Sequence, residues 1–194
     1  MRRMFGDCKS LKSIDLSKFD TSKVQIFENM FKDCFSLESV DTKYIKTNSA
    51  TDISGMFEGC SNLTSVDISS FNTANLKDIS YLFNECTGLK SVNFGKIDTK
   101  DIFAMEYLFA NCISLTEVDL SNFDTPELST IHNLFYGCTS LTDIDISNLD
   151  CSKVESYENA FTNLPTKGTI KYNSDKCSLI NSMIPATWDK KDLA

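Results

Sequence analysis

Hydrophobic and polar positions repeat along this chain every 26 residues, without one insertion or deletion. In each repeat a short apolar and polar alternation comes first, and apolar residues spaced three and four apart follow it. Val118 and Leu120 alternate with polar neighbours, which is the period of a strand with one buried face. Leu128, Ile131 and Leu134 follow at helical spacing. The pattern therefore predicts a strand, a turn and a short helix in every repeat.

Three residue types mark the period as a structural one. A period of about 20 to 50 residues is typical of a solenoid, in which each repeat forms one coil and only the stack buries a core. We therefore expect each of these positions to form a column inside the stack. The columns are Phe5, Phe31, Phe57, Phe83, Phe109, Phe135 and Phe161; Cys8, Cys34, Cys60, Cys86, Cys112 and Cys138; and Leu11, Leu37, Leu63, Leu89, Leu115 and Leu141.

The helix is predicted from its first residues as well as from its spacing. Thr125 suits an N-cap, Pro126 suits the first helical position, and Glu127 suits the positive end of the helix dipole. The expected fold class is an α/β repeat protein. Its short parallel strands would line the concave face of a right-handed solenoid, and its short helices would line the convex side.

Two regions are expected along the chain. Residues 1–164 would form an array of six repeats, and residues 165–194, where the period decays, would form a C-terminal cap. A disordered tail is the alternative for the end of the chain, although residues 178–184 could form a short helix. Because Met1 falls in the column of Phe27, the chain opens in mid-repeat, which suggests a fragment of a longer protein.

Composition narrows the function classes. The net charge of −8 argues against nucleic acid and against an anionic membrane surface as partners. Apolar residues make up 41% of the chain, which is ordinary for a folded protein. No stretch approaches the roughly 18 to 20 apolar residues that a membrane span needs. We expect no membrane insertion by this chain, no cofactor, and a monomer.

The cysteines are the most prominent chemical feature. No closely spaced pair of the kind that zinc sites use is present. Buried free thiols, disulfides along the column and a metal site are the three interpretations of the six-membered column. Cys151 and Cys177 are also 26 residues apart, but they stand in the threonine column of the helix start. A disulfide between these two is possible, and two free thiols are the alternative.

An aspartate column is the best candidate for a binding site. Each of its members lies between two inward strand residues and should point out from the strand side. Hydrogen bonds to flanking serines, a strip that binds a basic protein patch or a sugar, and a divalent cation site are the interpretations left open. Acidity concentrates on the last two repeats, where Glu117 and Asp143 lie two residues before Asp119 and Asp145. The column consists of Asp15, Asp41, Asp67, Asp119 and Asp145, with Asn93 interrupting it.

Catalysis finds little support in the sequence. His132 is the one histidine, and we expect it to be a solvated residue of a helix. With just seven glycines, no glycine-rich phosphate loop is present. An enzyme is therefore a distant third function class, behind an interaction module and a structural spacer.

The repeat resembles that of the BspA-like leucine-rich repeat surface proteins of bacteria. The resemblance rests on the blocks MFGDCKSLKSIDLSKFDTSKV from Met4 to Val24 and LFANCISLTEVDLSNFDTPEL from Leu108 to Leu128. It implies a leucine-rich-repeat solenoid on the cell surface, or secreted, that binds a host or matrix protein or a glycan. The expected function is a non-enzymatic adhesion module that uses its concave face. A spacer that presents another domain is the alternative.

Overall fold

The computed structural model describes residues 1–194. Its six strands are short and follow one another in sequence order. The N-terminal half carries β1 (Ser65–Asp67) and β2 (Ser91–Asn93). The C-terminal half carries β3 (Glu117–Asp119), β4 (Asp143–Asp145), β5 (Thr169–Tyr172) and β6 (Asp189–Asp192).

Neighbouring coils pair in parallel and in register. Val66 lies opposite Val92 in the β1–β2 sheet, and Val118 lies opposite Ile144 in the sheet ordered β3-β4-β5-β6. Each of these pairs joins residues 26 apart. The predicted solenoid-like stack of parallel strands is therefore present. The first two repeats form no strand, although Glu38 N–H still bonds to Lys12 O at 2.9 Å.

The predicted helix of each repeat is absent, and this expectation was wrong. The one α-helix is α1 (Ile180–Met183), near the C-terminus, and the one 3-10 helix is Thr42–Tyr44. Residues 132–137, which lie where the helical spacing was predicted, form consecutive turns instead. The spacing of three and four is real, but it belongs to turns rather than to a helix.

Left-handed backbone conformations explain why no helix forms. In each coil two residues, four positions apart, have a positive φ, and their equivalents form two columns along the stack. The first column includes Asn29 with φ 57°, and the second includes Asp33 with φ 59°. A right-handed helix cannot pass through residues in this left-handed conformation, which Asn, Asp and Gly adopt most readily. Each column has seven members. They are Arg3, Asn29, Gly55, Tyr81, Tyr107, Asn133 and Asn159; and Asp7, Asp33, Gly59, Glu85, Asn111, Gly137 and Asn163.

Backbone hydrogen bonds in these turns alternate between two kinds of partner. Asn29, Phe31 and Asp33 donate to the next coil, to the carbonyls of residues 54, 56 and 58, at 2.8 to 2.9 Å. The residues between them, Met30 and Lys32, donate within their own coil to carbonyls three residues back. The same pattern recurs in later coils. This side of the solenoid, which we call the turn face, is thus a hydrogen-bonded ladder between coils.

Stacked phenylalanine rings fill the core behind the turn face. Phe57 and Phe83 are fully buried, with ring centroids 5.9 Å apart and planes 3° apart. Rings from Phe5 to Phe135 continue this stack at 5.5 to 5.9 Å. Burying one such ring contributes about 1.5 to 3 kcal/mol. The predicted phenylalanine column is therefore the axis of the core.

The threonine column links coils through side-chain hydrogen bonds instead of capping helices. Thr21 Oγ1 donates to Lys46 O at 3.2 Å and accepts from Lys46 N–H at 2.6 Å. Thr125 makes the same pair of bonds to Asp150. At the end of this column the structure joins Cys151 and Cys177 in a disulfide, with Cα atoms 4.7 Å apart. A covalent link thus takes the place of a threonine hydrogen bond in the last coil.

Five of the six column cysteines are buried free thiols, and Cys8 is exposed. Each buried thiol donates to a phenylalanine carbonyl of the preceding coil, as Cys86 Sγ does to Phe57 O at 3.0 Å. Burial raises the pKa of Cys34 to about 11 and that of Cys138 to about 12. Thiols that are shielded and protonated in this way react poorly.

The C-terminal residues pack onto the last coil. β5 pairs with β4, and β6 pairs with β5. Trp188 is 4% exposed, and its indole N–H donates to Pro165 O at 2.9 Å. The helix predicted over residues 178–184 is found as α1, within that range.

Thiol titration gives a direct check on this core. When native protein is treated at pH 8 with an aromatic disulfide that reacts with free thiols, one thiol, that of Cys8, should react quickly. The other five free thiols should react only after denaturant unfolds the stack. A Cys8→Ser variant should lose the fast phase and keep the slow one. Two or more fast thiols in the native protein would contradict the buried column.

Candidate functional site

The aspartate column ends each strand with a local hydrogen bond. Asp119 Oδ1 accepts from Ser121 N–H at 2.9 Å, and Asp67 Oδ1 accepts from Ser69 N–H at 2.9 Å. Asp15 and Asp145 accept in the same way from the residue two positions on. This turn between an Asp side chain and the backbone is a standard use of the residue. One oxygen of each of these four aspartates therefore has a structural role.

Asn93 shows that the negative charge is not needed for this role. Its Oδ1 accepts from Gly95 N–H at 3.0 Å, as the aspartates do from serine. Asp41 is the exception, because it precedes the 3-10 helix and pairs with Lys43 Nζ at 2.6 Å. An Asp to Asn change at the other positions should therefore keep the turn and remove the charge.

The second carboxylate oxygens differ in their partners. Asp67 Oδ2 accepts from Asn93 Nδ2 at 3.2 Å, and Asp145 Oδ2 accepts from Lys171 Nζ at 3.0 Å. The second oxygens of Asp15 and Asp119 contact no donor within the protein. Part of the column is thus free to bind a partner.

The hydrogen bonds shift the acidity of these carboxyls. Ser17 N–H lowers the pKa of Asp15, and the Ser69 hydroxyl and N–H lower that of Asp67. Burial works to raise the pKa of Asp145, but hydrogen bonds from Ser147 and Lys171 outweigh it and the pKa is lowered. These groups are ionised at neutral pH.

The sheet is interrupted between β2 and β3. No hydrogen bond joins these two strands, although every other pair of consecutive strands is bonded. In the other coils a residue just after the strand donates to the next coil, as Leu120 N–H does to Asp145 O at 2.7 Å. The equivalent donor just after β2, Phe94 N–H, has no such partner. Just before β3, Thr116 N–H also lacks the bond to the preceding coil that Thr142 N–H makes to Thr116 O.

Phe94 occupies this interruption. Its neighbours in the column, Ile68 and Leu120, are smaller. The Phe94 ring packs edge-on against Phe123 of the next coil, with centroids 5.0 Å apart and planes 90° apart. Gly95, with φ 62°, follows it where the two flanking coils carry Ser69 and Ser121. A bulky ring placed toward the next coil accounts for the parting of the two strands.

A cleft of about 400 Å³ opens at the interruption. The half-buried Val92, with Phe94 and Val118, each 7% exposed, forms an apolar floor, and the buried side chains of Phe109 and Leu115 lie behind it. Four carboxylates and one ammonium stand among its lining residues, which leaves an excess of three negative charges. They are Glu117, Asp119, Asp143, Asp145 and Lys171. We call this feature the β2–β3 cleft.

The structure separates the predicted site residues into groups. The acidic residues of the last two repeats all line the β2–β3 cleft, whereas Asp15, Asp41 and Asp67 lie outside it. Cys151 and Cys177 belong to the threonine column and not to the cleft. Sequence reasoning missed Phe94 and Lys171. An aromatic residue followed by glycine, where adjacent repeats have an aliphatic residue and serine, is the signal that could have revealed the interruption.

The turn face carries the histidine and a second, shallower groove. His132 lies on a turn, with Nδ1 3.3 Å from Glu158 Oε2 and Nε2 3.5 Å from the Tyr107 hydroxyl. The groove, of about 550 Å³, is lined mostly by polar residues. The sequence predicted that His132 lies on a helix, and this prediction was wrong, because residue 132 lies in a turn.

No group of three or more His, Cys, Asp or Glu side chains is arranged to hold a metal ion. None of the helices has both the length and the apolar character required to cross a bilayer.

The structure shows the class of protein to which this chain belongs, a repeat protein whose parallel strands form a solenoid-like stack. The family described as "Mycoplasma protein of unknown function, DUF285" matches residues 1–94 and 51–173. These segments overlap and together span most of the chain, so the chain belongs to this family. No curated protein matches the chain.

Acid titration tests the aspartate turns. Because the folded pKa values of Asp15 and Asp67 are depressed, their contribution to stability is present above the unfolded value, near pH 4, and is lost as the pH falls through the folded values. The Asp15→Asn/Asp67→Asn variant keeps an acceptor at every pH. At pH 7 it lacks the contribution of the ionised carboxylates and should be slightly less stable than wild type. Between pH 4 and pH 2, where wild type loses that contribution, the two stabilities should converge, as measured by urea unfolding.

A matched Asp15→Ala/Asp67→Ala variant lacks both acceptors and should already be less stable at pH 7. Equal stability of the Ala and Asn variants at pH 7 would show that the turns contribute nothing.

Proposed function

We propose that this chain is a non-enzymatic interaction module of the cell surface, or of a secreted protein. It binds a protein or a glycan of a host or matrix through the strand face, which is the side carrying the outward strand residues such as Asp67 and Asp119. Within this proposal the strand face is the concave side of a right-handed leucine-rich-repeat solenoid of the BspA-like type. The chain acts as a monomer.

The observation that carries the proposal is the contrast between a constant core and a varied strand face. The phenylalanine, cysteine and leucine columns repeat nearly unchanged, whereas outward positions change from coil to coil. Ser91 of β2 becomes Glu117 in β3 and Asp143 in β4. Like charges on paired strands, about 5 Å apart, repel by about 1 to 3 kcal/mol for effective dielectrics of 80 to 20. A partner that offsets this repulsion would gain affinity from it.

Shape supports the same face. The β2–β3 cleft combines an apolar floor with polar groups at its rim, which is the usual make-up of a binding site. The turn face offers only the shallow polar groove. Its backbone donors are also used in bonds between coils. The strand face is therefore the better candidate surface.

A spacer function is the competing proposal. The threonine hydrogen bonds and the disulfide at the end of their column favour it, because they stiffen the stack without creating a binding surface. The two proposals differ in one respect. A binding module has a face at which surface changes abolish binding, whereas a spacer tolerates any change that preserves the fold.

The experiment is a binding screen against matrix proteins and glycans. It compares wild type with an Asp15→Asn/Asp67→Asn/Asp119→Asn/Asp145→Asn variant, which keeps the turns and removes charge from the strand face. We expect a ligand that binds wild type and loses at least tenfold in affinity with the variant. Circular dichroism and the thermal midpoint should be alike for both proteins.

A turn-face variant, Glu58→Gln/Glu106→Gln, serves as the control and should bind as wild type does. A ligand lost with the turn-face variant and retained by the strand-face variant would place the binding site on the other side. Absence of any ligand for wild type would favour the spacer.

A further inference from the structure

We propose that the β2–β3 cleft is a binding site for a lysine or arginine side chain of an extended, basic peptide segment of the partner. This inference rests on the proposed function and deepens it, since it assigns the class of partner and the part of the strand face that the partner contacts. The partner would insert the apolar stem of the side chain into the cleft. Its cationic head would remain at the acidic rim.

Charge complementarity selects a cation. The rim carries Glu117, Asp119 and Asp143 as exposed carboxylates, and no ammonium or guanidinium of the protein pairs with any of them. Glu117 lies directly opposite Asp143 in the paired strands. An incoming positive charge would relieve the repulsion between them, whereas an anion would add to it.

The protein's own lysine shows that an ammonium fits this strip. Lys171 follows Asp119 and Asp145 in the same column, and its Nζ lies 3.0 Å from Asp145 Oδ2. One ammonium therefore already neutralises one carboxylate at the C-terminal end of the cleft. The remaining carboxylates, those of Glu117, Asp119 and Asp143, offer a second site for an ammonium group.

The apolar floor favours a side chain over a small hydrated ion. Lysine and arginine bury their methylene stems on apolar surface and keep the charged head in water. In the cleft, the half-buried Val92 and the exposed edges of Phe94 and Val118 would receive the stem. A metal ion would gain nothing from this apolar surface.

The interrupted sheet favours an extended peptide as the carrier of that side chain. Along the interruption the N–H groups of Phe94 and Thr116 and the carbonyls of Lys90 and Asp119 make no backbone hydrogen bond. An extended segment that lies across the mouth of the cleft can bond to such groups, with alternate side chains directed into pockets. The cleft therefore provides backbone partners and a side-chain pocket together.

Nuclear magnetic resonance titration of the whole chain tests the inference. The probe is the peptide acetyl-Ser-Lys-Ser-Lys-Ser-amide, and the control peptide has glutamine in place of lysine. We expect the lysine peptide to shift the amide signals of Phe94, Val118 and Asp119. The glutamine peptide should cause no saturable shift.

A charge variant and a matched control separate the local site from the overall field. Glu117→Gln/Asp119→Asn/Asp143→Asn removes three charges at the cleft, and Asp15→Asn/Asp41→Asn/Asp67→Asn removes three elsewhere on the strand face. The first should weaken binding of the lysine peptide at least tenfold, or about 1.4 kcal/mol. The second should weaken it less than threefold.

A shape variant tests the floor. Phe94→Leu introduces the smaller residue found at Leu120, lets the strands approach, and should weaken the lysine peptide at least fivefold without changing the net charge. Equal losses for both charge variants, together with no effect of Phe94→Leu, would overturn the cleft as the site.

The possible failures are distinguishable from one another. Lysine-peptide shifts confined to Asp15, Asp41 and Asp67, or no shift at all while wild type still binds a ligand of the screen through its strand face, would overturn this inference and leave the proposed function standing. No binding of the peptide and no ligand in the screen would overturn both.

Discussion

The hydrogen bonds between coils on the turn face are the interaction on which the rest of this structure depends. Two left-handed residues in each coil prevent a helix and turn alternate N–H groups toward the next coil. Asn29, Phe31 and Asp33 therefore donate to the coil that follows, and the residues between them close turns within their own coil. The chain thus gains regular contact between coils without long strands or helices. This regular contact holds the period at 26 residues.

Once the coils are in register, core side chains such as the phenylalanines contact their own equivalents in the neighbouring coils. The phenylalanine rings stack, the buried thiols bond to carbonyls of the preceding coil, and the threonines join coil to coil. Such columns leave little freedom inside the stack. Apart from the aspartates, which the turn bonds hold in place, the outward residues of the strands carry no such constraint, and for that reason the differences between coils concentrate there. The β2–β3 cleft is the place where the core itself departs from the pattern, through Phe94.

Much of the fold could be predicted from the sequence because the signal repeats. The phenylalanine, cysteine and leucine columns, the strand at Val118 and the parallel stack all follow from the period. The helix could not be predicted correctly from apolar spacing, since turns closed three residues back give the same spacing. Asn29 and Asp33, which recur as Asn or Gly in most later coils, hold the information that decides between the two, although Tyr81, Glu85 and Tyr107 adopt the same conformation. The turn bonds of the aspartates were among the interpretations left open, whereas the cleft depends on a single ring and lies outside any repeat pattern.

Hydrogen exchange of backbone amides measures the contact between coils most directly. In a middle coil, Tyr81, Phe83 and Glu85 donate to residues 106, 108 and 110 of the next coil. The account predicts that these three amides are strongly protected and lose protection together as denaturant is added. The amides of Phe94 and Thr116 should exchange far faster. Exchange of Tyr81, Phe83 and Glu85 at the rates of an unfolded chain, in a protein that is otherwise folded, would contradict it.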